Sequence, residues 1–277
     1  MATSLPSVRT VPVDHRHRSR AGAACRWWKA VPVRLATFNI HHGTVAKHGR
    51  VDPERLGRVC AGLDADVLAL QEVDQGTLRG RGADLASVVA EACGMSHVFG
   101  RSRWYPGGAY GNALLVRGDI ESWTVAPLPV VPAWRVWQER RTVLHAAVHV
   151  GGHALSVAVT HLAVPQRVNG PQLDHLLGAV ADRPRPAIVL GDLNRFPNTV
   201  RPAAERAGLV YVPHGSTCLV PPLVIDHVLV SPELVIRHVE VRPTEMSDHA
   251  ALIVDVDVDP TDVAPTDGGP RTARDRR

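Results

Sequence analysis

Residues 33–74, VRLATFNIHHGTVAKHGRVDPERLGRVCAGLDADVLALQEVD, read as strand, helix and strand. Val33–Ile40 is apolar enough for a buried strand. Pro53–Leu63 has a proline in the first helical turn, where a missing N–H costs nothing. Asp66–Val73 returns as a second buried strand. The same order recurs downstream: a strand at Ala154–Leu162, a helix at Gln172–Ala181 and a strand at Ala187–Leu190, ending in GDLN. The runs DVLAL and AIVL are uniformly apolar, as expected of strands covered on both faces, whereas VLHAAVHV alternates. Two sheets packed face to face with helices outside satisfy all of these apolar faces.

Working outward, a helix is expected at Asp84–Cys93, closed by Gly94 at the position where a left-handed residue ends a helix. Further strands are expected at Gly111–Arg117, Arg140–Val150, Val224–Val230, Leu234–Val241 and Ala251–Val256. Residues 1–32 and 259–277 lack hydrophobic periodicity and read as disordered extensions, the first of them basic. Residues 33–258 between them read as one folded domain. Its length buries a large core without disulfides or a structural metal.

The overall charge of +4 is not spread evenly. Residues 1–33 hold six Lys/Arg against one Asp, and residues 258–277 balance four Arg with four Asp, which leaves about −1 for the chain between. A protein that tracks a nucleic-acid backbone usually presents a basic folded surface, and this core has no net excess. Cys25, Cys60, Cys93 and Cys218 stand far apart with no CxxC pair, which argues against a cysteine-ligated metal or a disulfide framework and fits a reducing compartment. There is no apolar run of about 18 residues to span a membrane, and no continuous apolar stretch near the N-terminus to act as a signal peptide. A cytoplasmic location is expected. Only Lys29 and Lys47 are lysines, and this Arg-, Ala-, Val- and Pro-rich usage fits a GC-rich bacterial coding sequence.

The chemistry sits where apolar strands end. Asn39 ends TFN, Glu72 follows LALQ, His161 closes VTH, Asp192 and Asn194 follow IVLG, Asp226 opens DHVLV, and Asp248 and His249 precede AALIV. Carboxylates gathered at such ends repel one another unless a cation lies between them. Mg2+ takes oxygen ligands in octahedral geometry at about 2.0–2.1 Å and keeps waters that a phosphate can replace. Glu, Asp and Asn suit it, and neither a three-histidine set nor an HExxH pattern points to zinc. Taken singly, each residue has an ordinary structural reading: an Asp or Asn at a strand end often forms a turn, and a lone histidine is more often a hydrogen-bonded core residue.

In the order FN, QE, GNALL, THL, GDLN, IDHV, SDH, these motifs resemble the endonuclease/exonuclease/phosphatase superfamily. That superfamily includes DNase I-like nucleases, abasic-site endonucleases, neutral sphingomyelinases and inositol-polyphosphate phosphatases. The resemblance covers roughly Val33 to Val256. It implies an α/β fold, a four-layer α/β/β/α sandwich of two mixed sheets, and a Mg2+-dependent phosphoesterase with Mn2+ as a substitute ion. By motif, Glu72 is the principal metal ligand, with Asn39 beside it and Asp248 close by. Asp192 would orient and deprotonate the attacking water, and Asn194 would contact the phosphoryl group. His249 would stabilise the transition state or carry a proton, with Asp226 holding its imidazole. His161 would donate to a phosphate oxygen or assist the leaving group. Asn112 and Arg141 are candidates for binding the substrate phosphate. His227 falls opposite Asp226 on an alternating strand and reads as structural.

Two departures bear on the substrate. His41 stands where some nucleases of the family carry an Asp ligand, and STCLVPPLVIDHV at 216–228 is shorter and more apolar than in many bacterial relatives. No stretch resembles the DNA-gripping loops of abasic-site endonucleases. The leading expectation is hydrolysis of a small-molecule or lipid-derived phosphate ester. The alternative is a nuclease using Trp104, Tyr105, Trp134 and Trp137 as stacking platforms among arginines. A third reading, a catalytically inactive phosphate-binding module, is disfavoured because every principal motif residue is intact. The sequence points to no protein partner.

Overall fold

The computed structural model describes residues 32–45, 49–130 and 138–258. The expectations of disordered extensions, and the Trp134 and Trp137 platforms, lie outside these residues. Two six-stranded mixed sheets pack face to face with helices outside, as expected. The first contains β1 (Val33–Asn39), β2 (Val67–Gln75), β3 (Ser96–Tyr105), β4 (Gly108–Val116), β11 (Leu234–Pro243) and β12 (Ala250–Val258) in the order β11-β12-β1-β2-β4-β3. The second contains β5 (Gly118–Pro127), β6 (Thr142–Val150), β7 (His153–His161), β8 (Ala187–Asp192), β9 (Val210–Tyr211) and β10 (Asp226–Val230) in the order β9-β10-β8-β7-β6-β5. Short antiparallel pairs, Thr44–Val45 with Arg50–Val51 and Cys218–Leu219 with Pro222–Leu223, flank them.

Each sheet holds one parallel pair, β1 with β2 and β7 with β8. A parallel pair needs a crossover connection, and the helices expected from the two strand–helix–strand repeats supply it. α1 (Pro53–Ala61) joins β1 to β2, and α3 (Gln166–Ala181) joins β7 to β8. α1 starts on Asp52, whose carboxylate accepts from Arg55 N at 3.0 Å. α2 (Leu85–Cys93) is capped in the same way by Asp84 and ends at Gly94 with φ +63°.

Alternation along the strands separates three apolar layers. Val33, Leu35, Val67, Ala69, Leu144, Val157, Ile188 and Leu190 fill the space between the sheets. Ala36, Phe38, Leu68 and Leu70 face α1 and α2. Ala187, Val189 and Leu229 face α3 and α4 (Pro197–Arg206).

Three features depart from the sequence expectation. β3 and β5 are edge strands, largely polar and exposed, so no apolar pattern announces them. α4 hides behind Pro197 and Pro202. α3 begins at Gln166 rather than Gln172 and continues through Pro171, which lies near its start and forgoes one backbone bond.

Candidate active site

β1, β2, β7 and β8 direct their carboxyl ends toward one rim of the sandwich, and β10 and β12 begin there. The strand period of two then selects the side chains. Val33 and Leu35 lie between the sheets, so Asn39 does too; Ile188 and Leu190 likewise bring in Asp192. The same count brings in His161 from β7, Asp226 from β10 and Asn112 from β4. Asp226 opens its strand directly opposite Asp192. These five residues are buried at the top of the inter-sheet layer.

Glu72 breaks the period. Leu68 and Leu70 face the helices, and strict alternation would send Glu72 after them. A bulge shifts the register of β2 against β4 between Leu70 and Val73, and Glu72 sits at φ +59°. Left-handed backbone costs a side-chain-bearing residue about 1–2 kcal/mol. The bulge instead turns the carboxylate toward the rim, where Asn39 Nδ2 reaches Glu72 Oε1 at 3.3 Å and His42 Nε2 lies 3.1 Å from Oε2. His41, His42 and Asn194 also have positive φ at this rim. Backbone strain concentrated in this way is characteristic of functional sites. Gly191 is a further requirement: a Cβ there would lie 2.0 Å from the Thr160 carbonyl oxygen, at φ +155°. Only glycine lets β8 approach β7 closely enough to place Asp192 beside His161.

The hydrogen bonds form one connected network. Asn39 Nδ2 also donates to Asp192 Oδ2 at 3.1 Å, while its oxygen accepts from His41 N at 3.1 Å. Asp192 Oδ1 accepts from Asn194 N at 2.9 Å, and His161 Nε2 lies 3.4 Å from Asp192 Oδ2. His249 Nδ1 meets Asp226 Oδ2 at 2.8 Å, with both groups buried. Ser247 Oγ donates to the Asn39 carbonyl at 2.7 Å and accepts from His249 N at 3.0 Å, tying β12 to β1.

The charges follow from this geometry. Burial first, and then the neighbouring Asp226, push Asp192 up to about 7. Burial alone would lower His249, but the hydrogen bond and charge of Asp226, with Asp192 and Asp248, outweigh it and hold the imidazolium up at about 9. His161 is pushed well below the ordinary histidine range by burial, then by Arg141, His249 and His42, and is neutral near pH 7. Its Nδ1 is buried without a partner, as is Asp226 Oδ1.

The donor set suits a hard cation. Asp192, Asp226 and His249 bring three ligand atoms within 4.8 Å of one another. The 2.8 Å Asp226–His249 bond already engages two of them, however. Glu72, mostly buried with Asn39 and His42 on its two oxygens, and the half-exposed Asp248 are the remaining carboxylates. His41 Nδ1 lies 3.6 Å from Asp248 Oδ1.

The structure thus brings Asn39, Glu72, His161, Asp192, Asn194, Asp226, Asp248 and His249 to one rim. Asn194 donates its side-chain amide to the Leu162 carbonyl at 3.0 Å, so its backbone N–H is the group that meets Asp192. Asn112 makes only a 3.5 Å contact to the Thr142 carbonyl. Arg141 is buried, bound through Nη2 to Glu139 at 3.1 Å, with Nε unpartnered. His227 faces away from Asp226 and bonds the Arg195 carbonyl at 2.7 Å, the structural role its position implies.

Some supporting residues carry little sequence signal. His42 is held between Glu72 and Arg79, whose Nη1 is 3.1 Å from Nε2, and Arg79 is clamped by Asp74 through two bonds of 2.6 and 2.8 Å. Asn169 donates to the Ala163 and Leu193 carbonyls, both at 2.7 Å, joining the loops after His161 and Asp192. The position of His42 three residues after Asn39 is the one hint that could have found it.

A sequence model described as the endonuclease/exonuclease/phosphatase family matches residues 36–249, a span that contains every motif from FN to SDH. The uncharacterized protein YbhP of Escherichia coli K12 is 28% identical over 189 residues, which is 64% of this chain and 72% of YbhP. An endonuclease/exonuclease/phosphatase from Beutenbergia cavernae superposes with a TM-score of 0.70 at 24% identity, over 82% of this chain and 72% of that one. The human Nocturnin catalytic domain does so with a TM-score of 0.64 at 20% identity, over 82% and 93%. The structural likenesses establish the fold, and the sequence match establishes the kinship: this chain belongs to the endonuclease/exonuclease/phosphatase family.

Proposed function

We propose that this protein is a Mg2+-dependent phosphoesterase that hydrolyses a phosphodiester or phosphomonoester by in-line attack of an activated water. The observation that carries this reading is the buried Asp192, bridged by Asn39 to Glu72 and set beside the Asp226–His249 pair. Glu72 and Asp248 would hold the ion, with Asn39 bracing Glu72; bound there, the metal would polarise the phosphoryl oxygens and offset the carboxylate charge.

The chain's own groups supply the rest. Asp192, with its pKa raised toward neutrality, accepts the proton of the attacking water, a task suited to a base poised near the working pH. His249, kept protonated and aimed by Asp226, stabilises the charge that grows on the phosphoryl oxygens or protonates the leaving oxygen. Neutral His161 and the backbone N–H of Asn194 keep Asp192 oriented.

The substrate is read as a small-molecule or lipid-derived phosphate ester, because the folded core lacks the cationic excess of a nucleic-acid tracker. Nuclease activity is the second reading, favoured by the exposed Trp104 ring under the Arg101 guanidinium at 3.9 Å. Among fold neighbours, ANGEL2 is a 2′,3′-cyclic phosphatase, superposing with a TM-score of 0.64 at 16% identity. The test is turnover of bis-aryl phosphate, aryl phosphate, plasmid DNA, RNA, inositol phosphates and sphingomyelin, each with Mg2+, Mn2+ or chelator. Metal-dependent cleavage of a small or lipid ester supports the reading. Cleavage confined to DNA or RNA replaces it with the nuclease.

A further inference from the structure

Large apolar side chains exposed on this protein are not scattered. Nine are exposed among the described residues, and six of them stand on loops or strand ends around the mouth of the candidate site. Leu78 follows β2, Trp104 stands at the β3–β4 turn, Val130 follows β5, Val164 follows β7, Phe196 follows β8, and Val220 precedes β10. Leu78 (73% exposed), Trp104 (72%) and Val220 (81%) are more exposed than buried, so they pack against little of the protein itself. The opposite edge of the sandwich carries only Val210 and Val235 of the nine. Isolated exposed apolar residues need no explanation, but a fringe around a functional mouth marks an interaction surface.

Most carboxylates on the same loops are engaged: Asp52 and Asp84 cap helices, Glu139 lies between Arg103 and Arg141, and Glu245 binds Arg55, while Glu54 is exposed and Asp248 borders the candidate site. Arg50, Arg81 and Arg101 carry no ion pair among the described residues, and all three are exposed. Cationic groups beside an apolar fringe match an anionic bilayer, whose phosphates attract arginine while its acyl boundary accepts aliphatic side chains. A single-stranded nucleic acid would use the arginines and Trp104, but it offers little to the aliphatic Leu78, Val130, Val164 and Val220.

We propose that this rim seats the protein on the surface of an anionic phospholipid bilayer, with the active site facing the lipid headgroups. The proposal rests on the phosphoesterase reading and narrows its substrate to the phosphate ester of a membrane lipid. No covalent step beyond that hydrolysis is involved.

Sedimentation with phosphatidylcholine vesicles, with and without 30 mol% phosphatidylglycerol, tests it on the full chain. Wild type should sediment with the anionic vesicles and much less with the neutral ones. Leu78→Asp and Val220→Asp, on opposite sides of the mouth, should each weaken vesicle binding about tenfold, and R81E with R101E should remove the preference for phosphatidylglycerol. Val235→Asp on the far edge should change neither. Turnover of a water-soluble bis-aryl phosphate should persist in all of these variants; its absence in the wild type would overturn the phosphoesterase reading and leave the vesicle result to stand by itself. Wild type that ignores vesicles, rim variants that bind like wild type, or retention of a labelled oligonucleotide in place of vesicles would each overturn the docking surface.

Discussion

Replacing Asp226 by asparagine keeps the shape of the side chain and removes its charge from the 2.8 Å contact with His249 Nδ1. Both groups are buried, so solvent cannot substitute for the lost carboxylate. Hydrogen bonds to a charged group are worth about 1.5–3 kcal/mol, and each 1.36 kcal/mol on a barrier is tenfold in rate. If the full bond is felt in the transition state, kcat falls by about 10- to 150-fold. A second loss adds to it, because an amide can donate to Nδ1 and fix the wrong imidazole tautomer, which carries the expectation to about 10²-fold or more. His249→Ala removes the same proton-handling group and should cost a similar amount. Since the two act as one unit, the double variant should be little worse than His249→Ala alone, not the product of the two losses. The assay is kcat on a soluble aryl phosphodiester for the four members of the cycle, with circular dichroism to establish that each is folded. Fully additive losses, or an Asp226→Asn variant with wild-type kcat, would refute the dyad and make His161 the better proton handler.

Three further outcomes follow from particular residues. Gly191→Ala places a Cβ against the Thr160 carbonyl, so it should cost about 2–4 kcal/mol of stability and misplace Asp192, read as a lowered midpoint in urea together with lost turnover. Glu72→Gly should abolish activity yet stay within about 1 kcal/mol of wild-type stability, because glycine relieves the strain at φ +59° while giving up chain stiffness; a large destabilisation would show that Glu72 is structural. Burial pushes His145 and His227 down to about 4, below the unfolded value near 6.5. The unfolded chain then takes up protons first, so stability is fully present above pH 6.5 and lost as pH falls toward 4. His227 accounts for about 2–3 kcal/mol of this and His145 for less, being partly screened; urea melts of His227→Gln should show a flatter slope in that window, and an unchanged slope would refute the assignment.

What the sequence could reveal was set by local patterns. Largely apolar runs that end in Asn39, Glu72 and Asp192, and one that Asp226 opens, announced both the sheets and the rim, because a polar residue at such a position has no core role. Edge strands β3 and β5 escaped because half-exposed strands need no apolar period. The orientation of Glu72 escaped for a different reason. It depends on a bulge against β4, a pairing between distant residues that no short window contains. The same holds for Ser247 on Asn39, 208 residues apart, and for Asn169 tying two loops together. Family order stood in for this missing geometry, since it named the candidate site residues without showing what positions them.

The proposed hydrolysis requires a catalytic divalent ion anchored by Glu72 at this rim. Mg2+ binding by calorimetry and turnover of an aryl phosphodiester, measured on wild type and Glu72→Gln at matched folding, address it most directly. Mg2+ binding and EDTA-sensitive turnover are expected in the wild type, with both sharply reduced in Glu72→Gln. Turnover that survives excess EDTA, or a Glu72→Gln enzyme that binds Mg2+ and reacts as wild type does, would contradict it.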